Sequence, residues 1–210
     1  MCSDGATSAY RGYRLQALYV LSRILLPAAS QPWIFRPEGK EDLDILGLNG
    51  ELIEAAQVKA YSENLTLSDF SPDKPSSFFR RAVELSKQHP KALIKIVSFG
   101  PIGQEMTNAW QKEGLARNSV TQKLVQSGFS SPDISLIFRM VQLVKVEGGY
   151  LQDKISIFLR GSLVGGNPDH AFDLLIYWLY LISEKKKEIT YKVQTSTKLT
   201  DFSQVKMCMD

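Results

Sequence analysis

Cysteine is almost missing from this chain. Its 210 residues hold two, Cys2 and Cys208, at the extreme ends. Cysteines so placed make no disulfide framework and no zinc spacing, so a reducing, cytoplasmic setting is expected. Histidine is equally scarce. His89 precedes Pro90 at an expected helix end, and His170 stands alone near a helix start. With no second histidine close by, a zinc centre or a His-metal finger nuclease is not expected. Long apolar runs are lacking too. The longest, Ala171 to Ile182, contains Asp173 and is too short to span a bilayer. The opening MCSDGATSAYRGYR is polar, so no signal peptide is expected. There is no internal repeat. Gly165-Gly166-Asn167-Pro168 lacks the lysine of a P-loop and reads as a turn with a proline helix start. No nucleophile elbow supports Ser-His-Asp chemistry.

What is present is ordinary for a soluble globular protein: 44% hydrophobic and 22% charged residues. The net charge of +3 permits contact with nucleic acid without demanding it. From about Ala9 to Leu26, Leu15, Leu18, Ser22 and Leu25 form one helical stripe that Pro27 stops. A short strand is expected at Trp33 to Phe35. Two strands joined by the turn dipeptide Asn49-Gly50 should follow, the second closing on Gln57-Val58-Lys59. Residues 60–74 read as a surface loop and Pro75 to Gln88 as a helix. Ala92 to Phe99 reads as a buried strand that Gly100-Pro101 ends. Helix, strand, strand, strand, helix, strand is an α/β order: a mixed sheet flanked by helices. The remainder reads as mainly helical, with segments at 104–113, 119–126, 134–140, 150–163 and 169–183 and a strand at Val141 to Val146. The aromatic stripe Phe172, Trp178 and Tyr180 reads as core or an oligomer surface.

The chemistry-bearing stretch runs from Phe35 to Lys59. Side chains alternate faces along a strand, so Asp42 and Asp44 share one face, and Gln57 and Lys59 share another. If those faces coincide, carboxylates, an amide and an ammonium converge on one patch, which suits magnesium-dependent phosphodiester hydrolysis with its need for hard oxygen ligands and a cation for developing negative charge. Asp44, Asp42 and Glu38 are the candidate acids, Gln57 offers a neutral carbonyl oxygen, and Lys59 is the candidate catalytic cation. Strand register decides between Asp42 and Asp44, and one sequence does not fix it. An ordinary solvated hairpin with charged edges is the competing reading. Arg80, Arg81 and Lys87 on the second helix are candidate DNA contacts or a solvated helix face.

The helix bearing Gly12-Tyr13-Arg14-Leu15-Gln16, the run from Glu38 to Asp44, and Gln57-Val58-Lys59 together resemble a known domain. It is the N-terminal endonuclease domain of bacterial anti-phage effectors: the CD-NTase-associated endonucleases and some antiviral STAND NTPases. These belong to the PD-(D/E)XK restriction-endonuclease-like superfamily, near its Mrr-type branch. The motif match covers roughly the first third of the chain. The resemblance implies a magnesium-dependent endonuclease of double-stranded DNA, with manganese able to substitute. Asp44 (or Asp42) matches the motif aspartate, and Gln57 and Lys59 match the (D/E/Q)-x-K pair. Gln16 matches the polar residue of the first helix, and Glu38 the acid before the aspartate strand. Gln57 departs from the commoner carboxylate and removes one negative charge from the metal site. An endonuclease-like domain over 1–184 is implied, its core at about 8–100 and a helical extension at about 104–184, followed by a basic linker and polar tail at 185–210. A sensor or NTPase module, fused or separate, and activation by homo-oligomer assembly are the implied partners. A catalytically inactive, nuclease-like DNA-binding or oligomerising module is the alternative.

Overall fold

The computed structural model describes residues 4–26, 33–60, 63–111, 114–162, 166–185 and 189–191. In chain order the elements are α1 (Asp4–Leu25), β1 (Trp33–Pro37), β2 (Leu43–Gly47), β3 (Leu52–Lys59), a 3₁₀ turn (Leu67–Phe70), α2 (Phe78–Gln88) and β4 (Leu93–Ser98). Then come α3 (Gln104–Gln111), α4 (Leu115–Gln126), α5 (Ser131–Met140), β5 (Val141–Lys145), α6 (Gly148–Ser162), α7 (Pro168–Glu184) and β6 (Ile189–Tyr191). The expected α/β class is observed, with both strand directions represented and a mainly helical C-terminal part. By contacts the chain divides into two compact units, one of Met1–Glu51 with Glu147–Asp210 and one of Leu52–Val146.

In the first unit β1 is flanked by β2 and β6, both antiparallel to it. Phe35, Leu43 and Ile45 are fully buried. Helix α1 packs against α6 and α7. Every residue from Ala17 to Ser22 is buried, so the apolar stripe read from the sequence widens into a helix covered on all sides over that stretch. Ser22 satisfies its hydroxyl by donating to the Tyr19 carbonyl at 2.6 Å. Asn167 caps α7, its side-chain oxygen accepting from the Asp169 and His170 amides, and Pro168 follows where a missing N–H costs nothing.

In the second unit β4 lies between β3 and β5, parallel to each. Parallel neighbours need crossovers, and α2 supplies one while α3, α4 and α5 supply the other. Side chains alternate along β3 and β4, so Ala55, Ile94 and Ile96 face a core built with Phe78, Phe79, Ala82, Met106 and Leu124. Residues 60–74, expected as loop, contain the 3₁₀ turn. Thr66 and Asp69 form its capping box, and Leu67 and Phe70 are buried. Strand β6 was also not expected from sequence.

Candidate active site

In the first unit the site residues gather around the turn between β1 and β2. Asp42 lies in that turn, not on a strand face shared with Asp44. Its carbonyl accepts from the Glu38 amide at 3.1 Å. Asp44 is on β2, in register with Arg36 of β1, and is 2% exposed. One carboxylate oxygen accepts from the Lys40 amide at 2.8 Å, and the other from the Glu41 amide at a long 3.4 Å. Burial pushes the Asp44 carboxyl above the usual carboxylate range. The two amides, Arg36 and Lys40 pull it back without cancelling that effect. Gly39 is required here: a Cβ on it would overlap Asp44 Oδ2, stand 2.8 Å from Cγ and meet Arg36 Cδ at 3.2 Å.

Glu38 opens the same turn with φ of 52°, a left-handed conformation uncommon outside glycine. Its carboxylate accepts a hydrogen bond from Gln16 Nε2 of α1. One helical turn earlier on α1, Tyr13 meets Tyr180 of α7 edge-on at 5.3 Å between centroids. Its phenol is pushed up chiefly by burial, with Ser183 drawing it back and the charges of Glu38 and Tyr180 adding to the rise. Gln16 and Glu38, 22 residues apart in sequence, are thus brought together.

In the second unit Gln57 and Lys59 lie on one face of β3, beside Ile96 and Ser98 of β4. Arg81 of α2 donates from Nη2 to Gln57 Oε1 at 3.3 Å, and from Nη1 to the Ser76 carbonyl. Lys59 Nζ sits 5.3 Å from the centroid of Phe70, within cation–π range. Phe70 in turn packs on Phe79 at 5.3 Å between ring centroids. The three cations read as one DNA-contacting group go to three places. Arg80 donates to the Ser127 carbonyl at 2.7 Å and lies 4.7 Å over the Phe129 ring. Lys87 pairs with Asp133 at 2.8 Å. Only Arg81 of the three is in contact with a predicted site residue among the contacts described.

One charged pair escaped the sequence reading. Glu54 and Lys95 form a 2.7 Å ion pair across β3 and β4 with side chains 2% and 16% exposed. Each interrupts an apolar strand run, LIEAA and LIKIV, and that interruption was the available signal. Glu54 has the opposite parity to Gln57 and Lys59, so it belongs to the other face of the strand. Among the described residues no group of three or more His, Cys, Asp or Glu is placed to hold a metal. None of the described helices is long and apolar enough to cross a membrane.

The fold and these residues define an α/β protein with a Gln-x-Lys strand end on β3 and a buried acid, Asp44, on β2. No family model and no curated protein matches the chain. Solved structures do share its fold. The Acinetobacter baumannii Cap4 SAVED/CARF-domain containing receptor is 15% identical with a TM-score of 0.54, over 85% of this chain and 44% of that one. The same receptor with the cyclic trinucleotide 3′3′3′-cAAA is 14% identical with a TM-score of 0.54, over the same shares. The chain spans less than half the length of these receptors.

Proposed function

We propose that this chain is a metal-dependent endonuclease domain acting on double-stranded DNA, an effector in bacterial anti-phage defence. The observation that carries the reading is the pairing of Gln57 with Lys59 on one face of β3, with Arg81 brought onto Gln57. The roles follow the motif. In the first unit Asp44 and Glu38 take the parts of the motif acids, and in the second Gln57 takes that of a neutral oxygen donor and Lys59 that of the cation for charge developing on the phosphate. The donor chemistry fits the ion. Magnesium is held through one or two carboxylates together with waters and substrate phosphates. Asp44 supplies one such carboxylate, buried on β2 and held by the Lys40 and Glu41 amides. When bound, magnesium supplies a more acidic water and offsets phosphate charge. This chain's residues orient the acids: the Lys40 and Glu41 amides fix the Asp44 carboxylate, and Gln16 fixes Glu38. The fold likeness to part of a receptor solved with a cyclic trinucleotide supports placing the domain beside a sensor module.

The competing reading is an inactive nuclease-like module for DNA binding or oligomerisation. A specific observation favours it: the Gln57 carbonyl oxygen, a donor for the metal, already accepts from a guanidinium. Cleavage of plasmid and linear duplex with Mg²⁺, Mn²⁺ or EDTA, beside Lys59→Ala, separates the two. Metal-dependent cutting that disappears in a folded Lys59→Ala protein is the expected result. A mutant that cuts at the wild-type rate would sink the nuclease assignment. The absence of any metal-dependent shift in melting temperature would favour the inactive module.

A further inference from the structure

We propose that Tyr13 is a positioning residue for Glu38: its hydroxyl is a second donor from α1 to that carboxylate, beside the Gln16 amide, and α7 keeps it aimed. All of these residues lie in the first unit. The chemical role of Glu38 rests on the proposed nuclease function; the hold on its carboxylate does not. Tyr13 and Gln16 are three residues apart on α1, so they are neighbours on one helix face. Gln16 already donates to the Glu38 carboxylate. The Tyr13 hydroxyl oxygen is buried and makes no well-formed hydrogen bond.

A buried hydroxyl left without a partner is costly. Two groups stand near enough to act on this one, the Ser183 side chain of α7 and the Glu38 charge. The carboxylate is the stronger acceptor of the two, because a hydrogen bond to it is charge-assisted. An ionised carboxylate offers about four lone-pair sites, so accepting from Gln16 leaves room for a second donor. Glu38 needs such support because of where it stands. It lies in the turn between β1 and β2 with φ of 52°, so no strand neighbour fixes its direction. Tyr13 is itself fixed. Tyr180 meets its ring edge-on at 5.3 Å, within the packing of α1 on α7. With that ring held, Glu38 alone has to turn about its side-chain torsions to meet the hydroxyl.

The test is a double-mutant cycle in the 210-residue chain, followed as urea midpoints at neutral pH. An unpaired phenol and a phenol that holds Glu38 predict opposite signs. Removing an unpaired buried hydroxyl relieves its desolvation, so Tyr13→Phe would raise the midpoint in every background. Under the proposal Tyr13→Phe lowers the midpoint of the wild type and does not lower that of Glu38→Ala. In Glu38→Gln, whose oxygen accepts without charge, its effect should fall between. Tyr150→Phe removes an exposed phenol from α6 of the same unit and should shift no midpoint. One and the same Tyr13→Phe shift in all three backgrounds would overturn the proposal. So would a loss that vanishes in Ser183→Ala and persists in Glu38→Ala, which would assign the hydroxyl to the serine. Tyr180→Ala takes away the ring and should shrink the non-additivity; an undiminished one would overturn the part given to α7. Cleavage is the second measurement. Tyr13→Phe should lower kcat on the order of tenfold while KM for the duplex holds, because a misplaced acid alters the reacting geometry and not the binding. A wild-type kcat in Tyr13→Phe would overturn the positioning role. The nuclease function fails separately. Non-additivity with no metal-dependent cutting by the wild type would keep the hold on Glu38 and discard the enzyme, whereas cutting with an additive cycle would discard the hold and keep the enzyme.

Discussion

The Glu54–Lys95 pair gives the sharpest stability prediction. Glu54 is 2% exposed and Lys95 16%, with 2.7 Å between Nζ and Oε2. Removing one partner of a buried pair is costly because the other charge stays desolvated, on the order of 3–5 kcal/mol. Glu54→Ala leaves the ammonium behind. Lys95 retains some exposure and a flexible stem, so it recovers part of its hydration by moving outward. The loss should therefore fall near the low end, about 3 kcal/mol. Against a typical stability of about 5–15 kcal/mol, that is a large fraction. Replacing both partners with apolar residues, as in Glu54→Leu with Lys95→Met, removes both desolvated charges at once. The double variant should regain more than half of what Glu54→Ala loses, because apolar replacement of a buried pair is often neutral. Urea unfolding followed by circular dichroism reads this directly, with the m-value checked for constancy. A thermodynamic cycle isolates the coupling, expected above about 1 kcal/mol for side chains in contact. Strictly additive single and double variants would refute the argument. The two charges would then contribute independently, and the ion pair would be a bystander.

Three further outcomes are expected. Gly39→Ala forces a methyl into the Asp44 carboxylate and should cost about 1–3 kcal/mol, read as a fall in the urea midpoint; an unchanged midpoint would mean the turn yields freely. Asp44→Asn can keep its oxygen on the 2.8 Å Lys40 amide and gives up only the 3.4 Å contact from the Glu41 amide, which an NH₂ cannot accept. Asp44 titrates above 3.8 when folded, so its burial penalty is absent below that value and grows as pH rises through the folded pKa. The asparagine variant should therefore melt higher than wild type at neutral pH, with the gap closing on acidification, and should lose metal-dependent cleavage. Glu105, held by Lys123 at 2.6 Å and by Ser119, has its carboxyl lowered by those hydrogen bonds. Its contribution is present above the ordinary value of 4.5 and is lost as pH falls through the folded value. Both side chains are more than a third exposed, so Glu105→Gln should cost only about 0.3–0.5 kcal/mol at neutral pH, diminishing in acid and in high salt.

Local patterning carried most of the fold. The stripe of α1, the β-branched run of β4, the Ser-Pro-Asp start of α5 and the Asn-Pro start of α7 each state their conformation within a few residues. The 3₁₀ turn also has a local signal, Thr66 to Asp69, but it sits among loop-like residues and only Leu67 and Phe70 betray its burial. Strand β6 is three residues long and pairs with β1, some 150 residues earlier in the chain, so its own sequence says little. The site divides the same way. Asp44 stands on β2 in register with Arg36 while Asp42 lies in the turn before it, a difference set by where β2 begins and not by the local sequence. The fate of the cations was beyond sequence for a geometric reason. Successive helix residues point about 100° apart, so Arg80 and Arg81 cannot share a direction, and their neighbours are chosen by how α2 is rotated against β3 and the segment around Ser127. That rotation is fixed by apolar residues, Phe78, Phe79 and Ala82, that carry no chemistry themselves. Turning the helix by one residue would put Arg80 where Phe79 lies, or Arg81 where Ala82 lies, and bury charge in the apolar core. The packing of this core therefore selects which arginine reaches Gln57.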